Sequence, residues 1–397
     1  MKKWISIILC VIIGLCAVVP SCASDESVSA VAAAAESTGL HLDAKGAILM
    51  EAETGAILYA YQSREKLYPA SVTKVMTMLL LMEAIDSGSI TEDDPVTASE
   101  NAVSYGGTQI YLEVGEVMSV RDLLKAVAVN SANDAATALG EYVAGSESAF
   151  VEQMNVRAEE LGAENTHFVN PCGLPDPDHY TCAYDVALFT RELLIKHPHI
   201  LDYTGIWMDS LRNGGFGLAN TNKMLKTYDG MTGMKTGYTD EAGFCLSATA
   251  TRGEMSLIAV VLGGETSKGR FASVASLLDY GFAGYTVLRR SPGTLSPISV
   301  RKGVTDSVSV KAEGEFVVVV PKGKTSDVTM EIFVEEELLA PVEQGKNVGT
   351  VRFLYEGQEI ASAPVLAAET VEKAGFGTYF VRILQRLFGS SPSKETQ

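Results

Sequence analysis

The sequence predicts an α/β domain with a helical insert, followed by a small all-β domain. Three observations predict this. Strand-like runs open and close the first part of the chain, a helical block lies between them, and period-two alternation takes over after Pro292. The opening runs are Gly46-Ala-Ile-Leu-Met50 and Ala56-Ile-Leu-Tyr-Ala-Tyr61. Glu53-Thr54-Gly55 separates them, and its glycine suits the positive φ of a hairpin turn. Residues 70–85 are apolar and meet no breaker until Gly88, which indicates a buried helix. Further helices are expected over 120–143, 148–161 and 183–195. Strands return over 231–263, including Leu257-Ile-Ala-Val-Val-Leu262, and a helix over 270–280 closes a domain spanning 38–286. In the second domain, 293–366, Val328, Met330, Ile332 and Val334 alternate with Thr329, Glu331 and Phe333. Val351, Phe353 and Tyr355 repeat the pattern before a turn at Glu356-Gly357.

Composition narrows the class of partner. With 397 residues, 47% hydrophobic and 20% charged, the chain can bury ordinary cores. Its net charge of -18 and lack of a lysine- or arginine-rich block argue against nucleic acid. Lys2 and Lys3 precede an apolar run over 4–19, and Ser21-Cys22-Ala23 follows with small residues suited to cleavage. Residues 1–23 are therefore expected to be an export signal rather than a retained anchor, and Pro20-Ser21 is a poor lipobox before Cys22. Residues 24–37, rich in alanine and serine, read as a tether. Cys172, Cys182 and Cys245 remain after the signal; the first two either pair or stay separate thiols, and the spacing fits no zinc site.

The tail, 367–397, changes texture again. On a helix, Phe376, Phe380, Ile383, Leu384 and Leu387 share one face, with Arg382, Gln385 and Arg386 opposite. Such a helix packs on its own domain or lies in a bilayer surface; the aromatics and arginines favour the membrane surface.

Three short motifs carry chemistry. Ser-x-x-Lys occurs at Ser63/Lys66, Ser71/Lys74, Ser299/Lys302 and Ser391/Lys394, so the string alone decides nothing. Only Ser71 opens a buried helix, which brings Lys74 one turn on to the same face. A serine hydroxyl needs an adjacent base, and a lysine serves if burial or a second cation keeps its amine neutral. Alone, Ser71 would read as a helix cap. Ser-x-Asn occurs at Ser99/Asn101 and at Ser131/Asn133; the second lies in an apolar stretch where polar groups are costly unless used. Lys235-Thr236-Gly237 occurs once.

In this order the three motifs match the signature of penicillin-binding proteins and serine β-lactamases. The chain most closely resembles the low-molecular-mass serine D-alanyl-D-alanine carboxypeptidases. Pro69-Ala-Ser-Val-Thr-Lys-Val-Met-Thr77, Ser131-Ala-Asn-Asp134, Asn165-Thr-His-Phe168, Gly173-Leu-Pro175, Gly233-Met-Lys-Thr-Gly-Tyr-Thr239 and Leu277-Leu-Asp-Tyr-Gly-Phe282 follow that family's order. The resemblance implies a transpeptidase-like fold, an antiparallel sheet with a helical insert. It makes Ser71 the nucleophile, Lys74 its base and Ser131 a proton relay. Asn133 would hold the substrate amide, and Lys235, Thr236 and Gly237 with Arg270 would bind the terminal carboxylate. The amides of Ser71 and Tyr238 would form the oxyanion hole. The implied substrate is a peptidoglycan stem peptide ending in D-Ala-D-Ala, with β-lactams as inhibitors, no metal or cofactor, and action at the outer face of the cytoplasmic membrane. Ala132 replaces a common glycine, and Cys172 and Cys182 depart from usual residues, which bears on loop geometry.

Rival readings are weaker. A class A β-lactamase needs a glutamate to activate water, and Glu159, Glu160 and Glu164 lie in a helix-like stretch without the expected asparagine partner. A non-catalytic wall-binding protein would not need Ser71, Lys74, Ser131 and Lys235 intact. None of the five histidines sits in a motif that would orient it toward a serine.

Overall fold

The computed structural model describes residues 39–312 and 314–388; the expected export signal and tether lie outside them. Strands β1 (Gly46–Glu51) and β2 (Ile57–Tyr61) form the expected hairpin, with Ile48 opposite Ala60. The buried Glu51 carboxylate accepts from the amides of Glu53 and Thr54 and from the Thr54 hydroxyl, which pins the turn. Helix α1 (Lys74–Asp86) follows a 3-10 turn, Ala70–Thr73, and is buried on every side through Met82. That explains why Val75–Met82 is apolar apart from Thr77.

The helical insert continues with α2 (Val120–Lys125), α3 (Asn133–Ala144), α4 (Glu147–Glu160) and α5 (Ala183–Lys196). The single helix expected over 120–143 is broken. A π-helical turn, Ala126–Asn130, ends at Ser131 in the left-handed region (φ 68°), and the chain restarts at Asn133. Hydrogen bonding outweighs helical continuity here. The buried Asp134 carboxylate accepts from the amides of Ile110, Leu112 and Ala135, and the Asn133 amide donates to Thr108 O at 2.7 Å.

Strands β3 (Met231–Thr239), β4 (Gly243–Arg252) and β5 (Met255–Gly264) then complete an antiparallel sheet in the order β2-β1-β5-β4-β3. Period-two geometry divides its side chains. Ile48, Met50, Ile258, Val260 and Leu262 join the helical insert; Ala47, Leu49, Leu257, Ala259 and Val261 pack with α6 (Ser267–Gly284). Both faces are covered, so β5 is apolar from Leu257 to Leu262. Strands β2 and β3 are the sheet's two edges.

Strand β6 (Tyr285–Arg290) leads into the second domain and pairs with Phe316–Pro321. Arg289 on it reaches the carboxylates of Glu53 (2.6 Å), Glu254 and Glu315. A four-stranded antiparallel sheet runs in the order Val310–Ala312, Gln358–Ala367, Asn347–Tyr355, Val328–Val334. Its core gathers Val308, Val342, Val351, Phe353 and Val365. The alternation over Val328–Val334 does mark a strand, yet Met330 and Ile332 are each 42% exposed and Phe333 51%, because this is the outer edge of the sheet. A tail helix, Phe376–Phe388, is also present, with Phe376, Phe380 and Ile383 exposed. Arg382 ties it to Asp306 and to the carbonyl of Val304.

Candidate active site

The tight turn preceding α1 sets the position of the nucleophile. Ala70 takes a positive φ of 47°, and Ser71 follows in the 3-10 turn. Such a conformation costs an alanine on the order of 1–3 kcal/mol, so its surroundings must impose it. Two glycines do so by close approach. A Cβ on Gly173, itself at φ 84°, would lie 1.8 Å from Ala70 O, and one on Gly237 would lie 2.8 Å from Pro69 O and 3.0 Å from Ser71 N. The edge strand and the loop over 165–181 therefore clamp the turn from two sides.

That loop is itself internally braced. Asn170 Oδ1 accepts from the amides of Cys172, Gly173 and Leu174. The buried His179 sits 2.8 Å from Thr73 Oγ1 through Nε2, while Nδ1 accepts from Val169 N–H, so Nε2 carries the proton. Burial pushes its imidazole down to about 4, leaving it neutral and structural.

Lys74 is wholly buried, one turn after Ser71. Its Nζ lies 3.0 Å from Ser71 Oγ, 2.6 Å from Asn133 Oδ1 and 2.9 Å from Cys172 O. Burial pushes this amine down to about 8. The arrangement is informative: the two carbonyl-type oxygens occupy two N–H groups, so on loss of one proton the lone pair faces the Ser71 hydroxyl. Asn133 is held in turn by Nδ2 donating to Gly106 O at 2.7 Å. Ser131, 5% exposed, stands two residues before it at the helix break.

Across the cleft, Lys235 is 1% exposed and its Nζ donates to Thr236 O at 2.9 Å. Burial, then the positive charges of Lys74 and Arg270, hold this amine well below the usual lysine range. Thr236 Oγ1 donates to Thr221 Oγ1 at 2.6 Å, and Thr221 N–H donates to Val129 O at 3.3 Å. Thr221 thereby links the edge strand to the turn carrying Ser131. Arg270 reaches the same strand from α6, but its Nη1 is spent on Gly237 O (2.9 Å) and Cys245 O (3.1 Å), bracing β3 against β4. The Tyr238 side chain is exposed and donates to Asp240.

The structure thus brings Ser71, Lys74, Ser131 and Asn133 to one wall and Lys235, Thr236 and Gly237 to the other, with Arg270 behind the strand. Sequence reading missed the Cys172 carbonyl, because a backbone acceptor leaves no signal, and Thr221, which sits in no motif. Cys172, Cys182 and Cys245 are separate buried thiols. Cys172 Sγ donates to Asn133 O, and Cys182 caps α5 through Asp185 N–H. The Ser99/Asn101 copy of Ser-x-Asn is structural: Ser99 caps Glu100–Ser104, and Asn101 bonds Glu141 and Glu147. Glu159, Glu160 and Glu164 are exposed.

Comparisons with known proteins agree with this geometry. Residues 30–266 match the model of the D-alanyl-D-alanine carboxypeptidase family, and residues 289–373 match the C-terminal domain of penicillin-binding protein 5. The D-alanyl-D-alanine carboxypeptidase DacF of Bacillus subtilis is 43% identical, over 86% of this chain and 89% of its own. Penicillin binding protein 5 from Haemophilus influenzae superposes with a TM-score of 0.78 at 33% identity, covering 85% of this chain and 99% of that one. Penicillin-binding protein D2 from Listeria monocytogenes, solved in its ampicillin-bound form, has a TM-score of 0.57 at 33% identity, over 62% of this chain and 99% of its own. The chain belongs to the D-alanyl-D-alanine carboxypeptidase family of serine hydrolases.

Proposed function

We infer that this enzyme removes the terminal D-alanine from peptidoglycan stem peptides ending in D-alanyl-D-alanine, through an acyl-enzyme on Ser71. The observation that carries this reading is the Lys74 amine, buried, 3.0 Å from Ser71 Oγ and with its other donors committed to Asn133 and Cys172. Ser71 Oγ attacks the carbonyl between the two D-alanines while its proton passes to Lys74. The amides of Ser71 and Tyr238 take the developing oxyanion. The C–N bond then breaks, and the proton returns through Ser131 to the departing amine. Water cleaves the ester, restoring the Ser71 hydroxyl and releasing the shortened peptide.

Lys235 and Thr236 receive the substrate's terminal carboxylate, with Arg270 and Gly237 shaping the strand that presents them. Arrival of that carboxylate favours the charged form of Lys235, and a charged Lys235 in turn favours a neutral Lys74. These steps use side chains and backbone alone. A β-lactam enters by the same attack and remains as an ester; the glutamates weighed as a β-lactamase's dedicated water-activating base are on the surface.

The domain organisation we adopt is catalytic over 38–286, all-β over 293–366 and a membrane-docking tail over 367–397. The basic and apolar start of the chain supports export and action outside the cytoplasm. No helix among the described residues is long and apolar enough to cross a membrane. The exposed Phe376, Phe380 and Ile383 of the tail helix favour docking on a bilayer surface.

The test is labelling with a fluorescent penicillin and D-alanine release from a D-Ala-D-Ala peptide, comparing wild type with Ser71→Ala. A stable label and D-alanine release, both reduced roughly 10⁴-fold or more in the variant, are expected. Rapid penicillin turnover without peptide cleavage would instead identify a β-lactamase. Neither activity would leave a wall-binding protein.

A further inference from the structure

A cavity of about 300 Å³ opens beside the end of β3. Lys45, Lys66, Tyr68, Tyr180 and Glu241 line it. Tyr68 lies three residues before Ser71, and Glu241 lies four after Gly237. Cys245 Sγ approaches both Tyr68 O and Ala242 O at 3.7 Å, so these segments meet at one place. Thr239 Oγ1 accepts from Ala242 N–H, which fixes the turn carrying Glu241.

The direction of the substrate follows from the assigned roles, and this inference rests on that functional reading. With the terminal carboxylate at Lys235–Thr236 and the scissile carbonyl at Ser71 and Tyr238, the peptide runs along the free edge of β3 toward residue 239. At about 3.3 Å per residue, the residue preceding the two D-alanines falls beside Thr239 and Asp240. A long side chain from there reaches the cavity.

The charges there are unspent. Lys45, Lys66 and Glu241 have no ion-pair partner among the described residues, whereas Arg157, Arg212 and Arg289 are each held by carboxylates. The Lys66 ammonium stands 4.4 Å from the Tyr180 ring centroid. On a chain of net charge -18, two cations without an ion-pair partner and one carboxylate lining the same small cavity suit a zwitterion. We propose that this cavity is a specificity subsite for the third residue from the substrate's C-terminus, and that it selects a diamino dicarboxylic side chain. Lys45 and Lys66 take its carboxylate and Glu241 takes its ammonium.

The experiment compares three peptides ending in D-Ala-D-Ala. Their preceding side chain carries an ammonium with a carboxylate, an ammonium alone, or a neutral acetylated amine. Wild-type kcat/KM is expected to favour the zwitterionic peptide over the lysine-type one by about three- to tenfold, the range that one or two half-exposed ion pairs supply. In Lys45→Met/Lys66→Met that preference should vanish, with turnover of the neutral peptide as internal reference. In Glu241→Gln the lysine-type peptide should lose its advantage over the neutral one. Equal turnover of all three peptides by wild type, or a preference that survives the double substitution, overturns the subsite while leaving the carboxypeptidase standing. Absence of any peptide turnover overturns both.

Discussion

The two domains treat polar groups in opposite ways. Every buried polar or charged side chain among the described residues lies between Glu51 and Ser273, in the first domain. The second buries only apolar side chains and turns part of its apolar surface outward, along Val328–Val334. Burying a charged amine costs several kcal/mol unless it is partnered, and the first domain buries two in one cleft. A domain carries such groups when their chemistry is used. The second domain is built of small sheets held by contacts such as Phe316 on Phe353, with ring centroids 4.5 Å apart, and its described residues form no comparable cluster.

Four predictions sharpen or break this contrast. The largest effect is expected from Lys74→Met, which should slow penicillin acylation of Ser71 by about 10²–10⁴-fold. It also leaves Asn133 Oδ1 and Cys172 O without their donor, so a lower melting temperature should accompany it. Acylation at the wild-type rate would remove Lys74 from the mechanism. Gly173→Ala comes next. Its Cβ would collide with Ala70 O, and a displaced Ser71 should acylate on the order of 10²-fold more slowly, with reduced thermal stability. An unchanged rate and melting point would show that the loop does not set the nucleophile.

Third, Lys74 must be neutral to accept a proton, and burial pushes it down to about 8. The neutral fraction grows with pH, so kcat/KM for peptide should rise about tenfold per unit below that value and level off above it. A flat profile between pH 6 and 9 would contradict a lysine base. The smallest effect is expected from Ile332→Ser on the exposed strand of the second domain. Stability should stay within about 0.5 kcal/mol and acylation should not change. A large loss in either would mean that this strand is covered by something the catalytic domain needs.

Much of this was legible in the sequence for definite reasons. The hairpin at 46–61, the strands over 231–263 and the helices over 148–161 and 183–195 announce themselves through periodicity and turn residues, which are local properties. The Ser71 and Ser131 motifs were separable from their chance copies because only Ser71 opens an apolar helix and only Ser131 lies in an apolar stretch, while Lys235-Thr236-Gly237 occurs once. The helix break at Ser131 was missed because the alanine-rich apolar pattern of 126–138 masks the cap-favouring Asn130, Ser131, Asn133 and Asp134 within it. It results from Asp134 capturing amides more than twenty residues away. The exposure of Ile332 was hidden too, because alternation marks a strand but does not say whether a second layer covers it.

The sequence by itself determined the types and order of the elements, the chemistry available at Ser71, Lys74, Asn133 and Lys235, and the family those residues indicate. Only the tertiary structure decided that Gly173 and Gly237 clamp the turn before Ser71 and that Cys172 offers its carbonyl to Lys74. It also decided that Thr221 joins the two walls and that Arg270 braces the strand from behind. The physical reason is common to all four. Close backbone approach and backbone hydrogen bonding depend on where distant segments meet, and a backbone carbonyl is the same in every residue that bears it.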